Sequence, residues 1–301
     1  MNKVTVIGSI NLDRTIRVAR MAKPGETLHT KEIFTAGGGK GANQAIAAQR
    51  LGADTSFIGA VGEDWEVSQT MLELLHEDGI NCQGIATLSN HKTGQAFVIV
   101  DDDSENLIYV HGGANMAFQP EHVDQNRDLI TQSDFVVAQF ETPIDCTTEA
   151  FKIARQNGVV TILNPAPAID QIPEDLLKVT DMIVPNETET EVITGIKITD
   201  QDSMIKAAEK FHALGIKAVL ITLGSQGTFY SYAGKTAIIP ALKVNAVDTT
   251  AAGDTFIGAL SSVLNKDFSN LEDAIKFSNK ASSITVQRFG AQPSIPYLKE
   301  M

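Results

Sequence analysis

Short runs of β-branched and apolar residues alternate with helical patterns along most of the chain, and this alternation restricts the possible folds more than any other feature. Many of the runs are continuously apolar over several residues rather than alternating, which is typical of strands in a parallel sheet that is covered on both faces. The sequence therefore predicts an α/β fold with a doubly wound, mostly parallel sheet and helices on both faces. The predicted strands are residues 4–8, 55–61, 135–139, 159–164, 182–184 and 218–222, and the predicted helices are 42–51, 65–77, 147–157, 203–214, 253–264 and 271–286.

Two stretches interrupt the alternation, residues 13–36 and 87–111, where the sequence predicts strands and turns without helices. In the second stretch, 94–100 and 106–110 flank the segment DDDSE, which is typical of a hairpin loop. These stretches predict a small antiparallel sheet outside the main one, serving either as edge hairpins or as a lid over a ligand. We expect a single α/β domain over residues 1–301 that carries this lid, because folds of this class often reach such a length as one unit.

The composition argues against several classes of binding partner. The 301 residues carry a net charge of −13, whereas nucleic acids and anionic membranes attract basic surfaces. Cys82 and Cys146 are the only cysteines, too few for a disulfide scaffold, and the six histidines show no spacing typical of a zinc site. No segment has the length and hydropathy of a signal peptide or a membrane-spanning helix. We therefore expect a cytoplasmic protein whose partners are small molecules, not nucleic acid or a membrane.

The segment AGGGKGANQ, residues 36–44, precedes a predicted helix. Glycines allow the backbone to approach a ligand closely, and the unpaired N–H groups at a helix start attract anions. Lys40 and Asn43 can donate hydrogen bonds to hydroxyl groups. The segment is not a Walker P-loop, since Gly41 follows the lysine, and its loose GxGxxA match does not follow the first strand as a dinucleotide fingerprint does. A flexible turn before a helix is the alternative.

A second turn of small residues, Ala251-Ala252-Gly253, leads into Asp254 and a predicted helix. Such a turn directs several N–H groups toward one point, which suits the negative charge of a transferring phosphoryl group. Asp254 is placed to accept a proton from an attacking hydroxyl, and the helix N-terminus is expected to favour its ionised form. The alternative is an ordinary N-cap aspartate.

Three further polar segments follow predicted strands or lie at their ends. Asn186 and Glu189 of NETE suit a hydrated Mg²⁺, although the spacing by itself favours a capping box. The segment TLGSQG, residues 222–227, suits nucleotide contacts or a simple turn. Asn11 and Asp13 of GSINLD suit sugar hydroxyls or an Asx turn.

In this order the motifs resemble those of the ribokinase-like family of carbohydrate kinases, over nearly the whole chain from GSINLD to GAQPSIP. GGGKGANQ and DTTAAGDTF are similar to the two family signatures, and QFETP, NPAP, PNETE and TLGSQG lie between them. The resemblance implies a central sheet with helices on both faces and a small β lid that serves as a homodimer interface. It also implies ATP-dependent phosphorylation of a small sugar, D-ribose at O5, with Mg²⁺ and K⁺ as activating ions.

The resemblance assigns roles to residues at matching positions. Asp254 would be the catalytic base, with Ala252 and Gly253 as the anion hole. The sugar would bind to Asn11, Asp13, Gly39, Lys40, Asn43, Glu141 and Asp254, and ATP to Asn186, Thr222, Gly224, Ser225, Gly227 and Asn279. Magnesium use would involve Asn186 and Glu189, and a monovalent cation site would involve Asp248, Thr250, Thr285, Arg288, Gly290 and Ser294, several through backbone carbonyls. Many family members have glycine where this chain has Ala251.

Three other functions stay open at this point. Another kinase of the same family would phosphorylate deoxyribose, fructose or adenosine, and details of the pocket decide between such substrates. A nicotinamide-dependent oxidoreductase agrees with the α/β pattern, but the chain lacks the fingerprint after its first strand. A non-catalytic sugar sensor on the same fold would have no need of a base such as Asp254.

Overall fold

A nine-stranded sheet passes through the centre of the molecule. The computed structural model describes residues 1–103 and 105–301, so Ser104, within the predicted hairpin loop DDDSE, lies outside the described residues. In spatial order the strands are β13 (Lys235–Ile239), β12 (Thr228–Tyr232), β11 (Ala218–Thr222), β10 (Met182–Ile183), β9 (Val160–Leu163), β8 (Phe135–Ala138), β1 (Lys3–Ile7), β4 (Asp54–Gly62) and β5 (Asn81–Leu88). All pairs from β11 to β5 are parallel, and the β12–β13 edge is antiparallel.

Helices cover both faces of this sheet, which confirms the predicted doubly wound α/β fold. They are α1 (Lys40–Arg50), α2 (Trp65–Glu77), α3 (Ala114–Ala117), α4 (Pro120–Gln125), α5 (Arg127–Thr131), α6 (Ile144–Gln156), α7 (Glu174–Leu177), α8 (Glu187–Thr194), α9 (Gln201–Ala213), α10 (Ala252–Val263) and α11 (Leu271–Thr285). One apolar core joins α1, α2, α10 and α11 to the first face, through buried side chains such as Ile46 and Leu260. A second core joins α6 and α9 to the opposite face, through Phe151 and Phe211. Among the described residues, no helix has the length and apolar character needed to cross a membrane.

A second sheet of four strands stands outside the first. Its strands, in spatial order, are β3 (Glu32–Gly38), β2 (Asn11–Arg17), β6 (Gly94–Val100) and β7 (Asn106–His111). The outer pairs are antiparallel as predicted, but β2 and β6 are parallel, so the prediction of a purely antiparallel sheet was wrong. The reason is topological: β2 follows β1 and β6 follows β5, and β1 and β5 run in the same direction in the large sheet.

The carboxyl ends of the parallel strands meet at one edge of the large sheet, where ligand sites of such folds form. The turn from β3 into α1 lies against this edge, and Ala42 N donates to Ser9 O over 2.9 Å. Gly39 has a φ of 89°, and a Cβ atom there would lie 2.8 Å from Ser9 O, so the close approach requires glycine. The segments GSINLD and AGGGKGANQ are thereby brought together, although they belong to different turns.

Candidate active site

Asp254 lies in the first turn of α10 and is only 8% exposed. Ala251, with a φ of 60°, is the N-cap residue, so the interpretation of Asp254 as an ordinary N-cap was wrong. The carboxylate turns toward α1 instead. Asn43 Nδ2 donates to Oδ2 of Asp254 over 3.0 Å, and Gln44 Nε2 donates to Oδ1 over 3.0 Å. Both carboxylate oxygens are therefore held by side chains of the segment AGGGKGANQ.

Burial raises the pKa of Asp254 above its ordinary value, while Lys40 and the amide groups of Asn43 and Gln44 oppose this shift. The sequence predicted that the helix N-terminus would favour the ionised form. The structure differs because the carboxylate lies inside the protein, where loss of hydration outweighs the nearby donors. A buried carboxylate with such a pKa is a stronger proton acceptor than an exposed aspartate, which suits a catalytic base.

Glu141 connects the glycine-rich turn to the end of β1. Its Oε2 accepts a hydrogen bond of 2.5 Å from Ser9 Oγ and one of 3.0 Å from Lys40 N. The Lys40 side chain is itself largely buried, and burial lowers its pKa, but Asp254, Glu141 and Glu189 together raise it above its ordinary value. Lys40 is therefore a fixed positive charge among carboxylates.

Asn11 and Asp13 lie on β2, beside this cluster. Asn11 is 4% exposed, and its Oδ1 accepts a hydrogen bond of 2.8 Å from Asn115 Nδ2. Burial, together with the charges of Glu141 and Asp254, raises the pKa of Asp13 to about 7. Oδ1 of Asp13 is buried and has no hydrogen-bond partner among the residues that the structure describes. Such an acceptor is costly unless a ligand supplies a donor, as a sugar hydroxyl does.

A cavity of about 210 Å³ adjoins Asp254 on the side of α8 and β11. Lys40, Ala252 and Gly253 line it, together with Thr222. Ala252 N donates to Thr249 O over 3.2 Å, whereas the N–H groups of Gly253 and Asp254 have no backbone acceptor within the described part of the chain. Because the first N–H groups of a helix are free to bind anions, the cavity has the donors that a phosphoryl group needs.

Asn186 and Glu189 also line this cavity, and they form the capping box that the spacing favoured. Glu189 N donates to Asn186 Oδ1 over 2.8 Å, and Asn186 N donates to Glu189 Oε2 over 2.8 Å. Each carboxylate oxygen still has a free lone pair, so the pair fits a hydrated Mg²⁺ bound through water better than one bound directly. The described residues contain no cluster of three His, Cys, Asp or Glu side chains that could hold a metal by itself.

The other predicted nucleotide residues lie farther along the same edge. Gly224 and Ser225 form an exposed 3₁₀ turn after β11, and they do not line the cavity. Gly227 has a φ of 111° and a Cβ there would lie 2.1 Å from Ile239 O, so this turn requires glycine. Asn279 is buried and ties α11 to the adjacent hairpin, accepting from Thr228 Oγ1 over 2.9 Å. Thr222 therefore lines the cavity, whereas Gly224, Ser225, Gly227 and Asn279 do not.

Asp248 joins two of the other residues predicted to form a monovalent cation site, Thr250 and Gly290. Its Oδ1 accepts from Thr250 N over 2.9 Å, and its Oδ2 accepts from Gly290 N over 2.9 Å. Burial raises the pKa of Asp248, but these hydrogen bonds together lower it below its ordinary value. The carboxylate thus joins the turn before α10 to the segment after α11.

The polar side chains of the other predicted cation ligands are already engaged. Thr285 Oγ1 contacts Thr255 Oγ1, Ser294 Oγ donates to Ala291 O, and the Arg288 guanidinium pairs with Glu300. The Arg288 guanidinium has no lone pair for a cation, whereas backbone carbonyls, the Asp248 carboxylate and the lone pairs of the two hydroxyls can still bind one. This all-oxygen donor set fits K⁺ chemically.

Several residues of the site were not predicted from the sequence: Ser9, Gln44, Asn115, Gln139 and Asn164. All are buried polar side chains whose hydrogen bonds join different elements. Gln139 and Asn164 each directly follow a parallel strand, and that position was the signal available in the sequence. Their partners are distant along the chain, so only the folded structure reveals them.

A family model described as pfkB family carbohydrate kinase matches residues 1–298. The chain belongs to this family. The resemblance inferred from the motifs is thus confirmed, and the protein is a carbohydrate kinase, a transferase rather than an oxidoreductase.

Individual relatives within the pfkB family are similar over their full lengths. A ribokinase of Staphylococcus aureus is 54% identical over 301 residues, covering 100% of this chain and 98% of that protein. A ribokinase of Haemophilus influenzae is 46% identical over 297 residues, covering 99% and 96%. The structure of an Arabidopsis thaliana ribokinase complexed with ribose and ATP matches with a TM-score of 0.92 at 33% identity, covering 99% of this chain and 96% of that one.

Proposed function

We propose that this chain transfers the γ-phosphoryl group of ATP to O5 of D-ribose. The observation that carries the proposal is the position of Asp254, between a buried cluster of hydroxyl-binding side chains and a cavity lined by the first turn of α10. The similarity to ribokinases, one of which is solved with ribose and ATP, supports the same reaction here.

The sugar lies against β2 and the glycine-rich turn. Its hydroxyls donate to the unpartnered Oδ1 of Asp13, and Asn11, Gly39, Lys40, Asn43 and Glu141 complete the binding surface. Fixed donors and acceptors of this kind hold O5 in line with the γ-phosphorus, which removes much of the entropic part of the barrier.

Asp254 orients the O5 hydroxyl and accepts its proton. In a loose transition state the proton leaves late, as the new O–P bond forms, so a carboxylate is a sufficient base. The N–H groups of Gly253 and Asp254 bind the developing charge on the phosphoryl oxygens. The Ala252 N–H adds a third donor once its hydrogen bond to Thr249 O is broken. The Lys40 ammonium adds a positive charge on the same side.

Asn186 and Glu189 would hold the water shell of a Mg²⁺ ion that accompanies ATP, and this ion would supply positive charge against the phosphates. The nucleotide extends from the cavity along Thr222, Gly224, Ser225 and Gly227 toward Asn279. Asp248 and backbone carbonyls of the 250 and 285–294 segments would hold a K⁺ ion, which would add positive charge beside the turn that begins α10. Both ions would act on the phosphate side of the site.

The four-stranded sheet serves as a lid and as the interface of a homodimer, in a single-domain cytoplasmic enzyme. Support comes from exposed apolar side chains on both faces of this sheet, Phe34 and Ile108 on one face and Ile33 and Tyr109 on the other, at 52%, 57%, 59% and 62% exposure. Exposed apolar surface of this kind is typical of a protein–protein contact. Sedimentation analysis should give a dimer, and Phe34→Glu with Tyr109→Glu should give a monomer; a wild-type monomer at micromolar concentration contradicts the interface.

A coupled ADP-release assay tests the reaction. We expect turnover with ATP and ribose that requires Mg²⁺ and is faster in K⁺ than in Na⁺ or choline, with NMR locating the phosphate on O5. Deoxyribose, fructose and adenosine serve as competing acceptors, and preference for any of these over ribose overturns the substrate assignment. A flat response across the three monovalent salts contradicts the cation site without affecting the kinase assignment.

A further inference from the structure

A chain of side-chain amides leads from the large sheet to Asp254. Gln139 Nε2 donates to Gln44 Oε1 over 2.6 Å. Gln44 Nε2 in turn donates to Asp254 Oδ1 over 3.0 Å and to Asn164 Oδ1 over 3.1 Å. Asn164 Nδ2 donates to Val184 O over 3.0 Å, which anchors the chain at the edge of the sheet. Side chains from three separate elements thus meet at the Gln44 amide, and Gln44 makes the contact with the carboxylate oxygen.

Gln44 and Gln139 are both 0% exposed, so neither can reach a substrate that occupies the cavity. An ionised carboxylate only accepts hydrogen bonds, so the Gln44 amide group must face Asp254, and Gln44 Oε1 then accepts from Gln139 Nε2. Gln139 Oε1 is itself buried and has no hydrogen-bond partner among the described residues. Gln139 therefore holds the carbonyl end of Gln44, and without Gln139 the buried Gln44 Oε1 would lose this donor.

We propose that Gln44 is a positioning residue for the base Asp254 and that Gln139 acts through Gln44 by holding its Oε1. The proposal rests on the proposed function, in which Asp254 receives the O5 proton. Asn43 holds the other oxygen, Oδ2, but it also belongs to the sugar-binding surface. Gln44 is the donor dedicated to orientation, since it is fully buried and contacts the base from the side of the sheet.

The position of this amide has a consequence for ionisation. Asp254 is surrounded by Lys40 on α1, Glu141 after β8, Asp13 on β2 and Glu189 on α8. Burial and Glu141 raise its pKa, and Lys40, Asn43 and Gln44 lower it. Loss of the Gln44 amide therefore raises the pKa of Asp254 further. Because the base must be ionised to act, removal of this amide moves the acid limb of the rate profile to higher pH.

The test compares Gln44→Leu, Gln139→Leu and their double variant with the wild type. Gln44→Leu should lower kcat about 10- to 100-fold, as expected for the loss of one hydrogen bond to a charged group, with little change in the KM for ribose. Its acid limb should move up by about one pH unit. Gln139→Leu should shift both quantities in the same direction by less, and the double variant should be no worse than Gln44→Leu. Gln49→Leu is the matched control, since Gln49 also lies on α1 but bonds to Thr55 N.

Each outcome has a separate meaning. Unchanged kcat and acid limb in Gln44→Leu overturn the proposal, as do additive losses in the double variant, because additivity means that Gln139 does not act through Gln44. Gln139→Asn, which keeps an amide donor, should recover part of the activity lost in Gln139→Leu. A wild type without ribose-dependent turnover contradicts the proposed function instead. The pKa of Asp254 is then read by carboxyl-carbon NMR, with the signal assigned by its loss in Asp254→Asn, and an unshifted pKa in Gln44→Leu still overturns the role of the amide.

Discussion

The two halves of the candidate site are built by different means. The sugar half is made of buried side chains: Asn11, Asn43 and Asp254 are 4%, 5% and 8% exposed, and their hydrogen bonds join α1, α10 and the strands. The phosphate half is made of turns, with Asn186, Ser225 and Gly253 exposed to solvent and the N–H groups of α10 supplying the donors. Binding in the sugar half therefore depends on which side chains are present, and binding in the phosphate half depends on the conformation of the backbone.

This difference predicts how each half responds to substitution. Buried polar groups that lose a partner leave another group unsatisfied, and that penalty is large. Backbone donors are unaffected when a neighbouring side chain is shortened. Substitutions in the sugar half should therefore be more damaging than substitutions of comparable size in the phosphate half.

The largest effect is expected for Asp254→Asn, at the boundary between the halves. Loss of the proton acceptor should lower kcat by about 10²- to 10⁴-fold, with a much smaller change in ribose affinity. Steady-state kinetics and calorimetry with ribose measure the two quantities. Asp267→Asn, at an exposed carboxylate in the loop before α11, is the control and should behave as the wild type. Near-normal turnover of Asp254→Asn would remove this residue from the role of base.

A smaller effect is expected for Asp13→Asn. Ribose affinity should fall about 10- to 100-fold, since a hydrogen bond to a charged acceptor is lost. The folded protein binds the Asp13 proton more tightly than the unfolded chain does, because the folded pKa is about 7. Asp13 therefore favours folding at low pH, and this contribution is lost as pH rises from about 4 to about 7.

Asp13→Asn also tests this dependence of stability on pH. The asparagine cannot titrate, so at pH 8 the variant should be more stable than the wild type, and its ribose affinity should be independent of pH. In the wild type, ribose affinity should increase with pH through about 7, because the ionised carboxylate is the better acceptor. Thermal unfolding and calorimetry at several pH values measure both effects. Equal pH dependence in the two proteins would show that Asp13 is not the titrating group.

Substitutions in the phosphate half should be milder. Asn186→Ala removes the N-cap of α8 and should cost about 1 kcal/mol of stability, with a change of a few-fold in the KM for ATP. Ser225→Ala shortens an exposed side chain and should change the KM for ATP by less than about twofold. If Ser225→Ala raises the KM for ATP by as large a factor as Asp13→Asn lowers the ribose affinity, the contrast between the two halves is wrong.

The smallest effect is expected at the start of α10. Ala251 has a φ of 60°, a conformation that costs a non-glycine residue about 1–2 kcal/mol. Glycine relieves this strain but increases the freedom of the unfolded chain, so Ala251→Gly should raise stability by less than about 1 kcal/mol. Chemical denaturation measures the difference. A clear loss of stability in this variant would mean that the Ala251 methyl group makes favourable contacts that outweigh the strain.

Much of the fold followed from local patterns. The apolar runs within strands such as 135–139 and 159–164 predicted a parallel sheet covered on both faces, and β8 and β9 lie at its centre with every residue buried. The parallel pairing of β2 and β6 did not follow, because strand direction in the small sheet depends on where β1 and β5 end in the large one. The local sequence carries no information about where those two strands end in the folded protein.

The sequence alone determined the chemistry that is available: glycine-rich turns before α1 and α10, a carboxylate at the second turn, and the polar residues that end the strands. These depend on residue type and short spacing, which a linear sequence records. Tertiary structure alone decided that Gln44 and Asn43 hold Asp254, that Asp13 is buried beside Glu141, and that the capping box of Asn186 and Glu189 lies at the cavity. Contacts between residues some 200 positions apart, and the burial that raises these pKa values, exist only when the elements pack against one another.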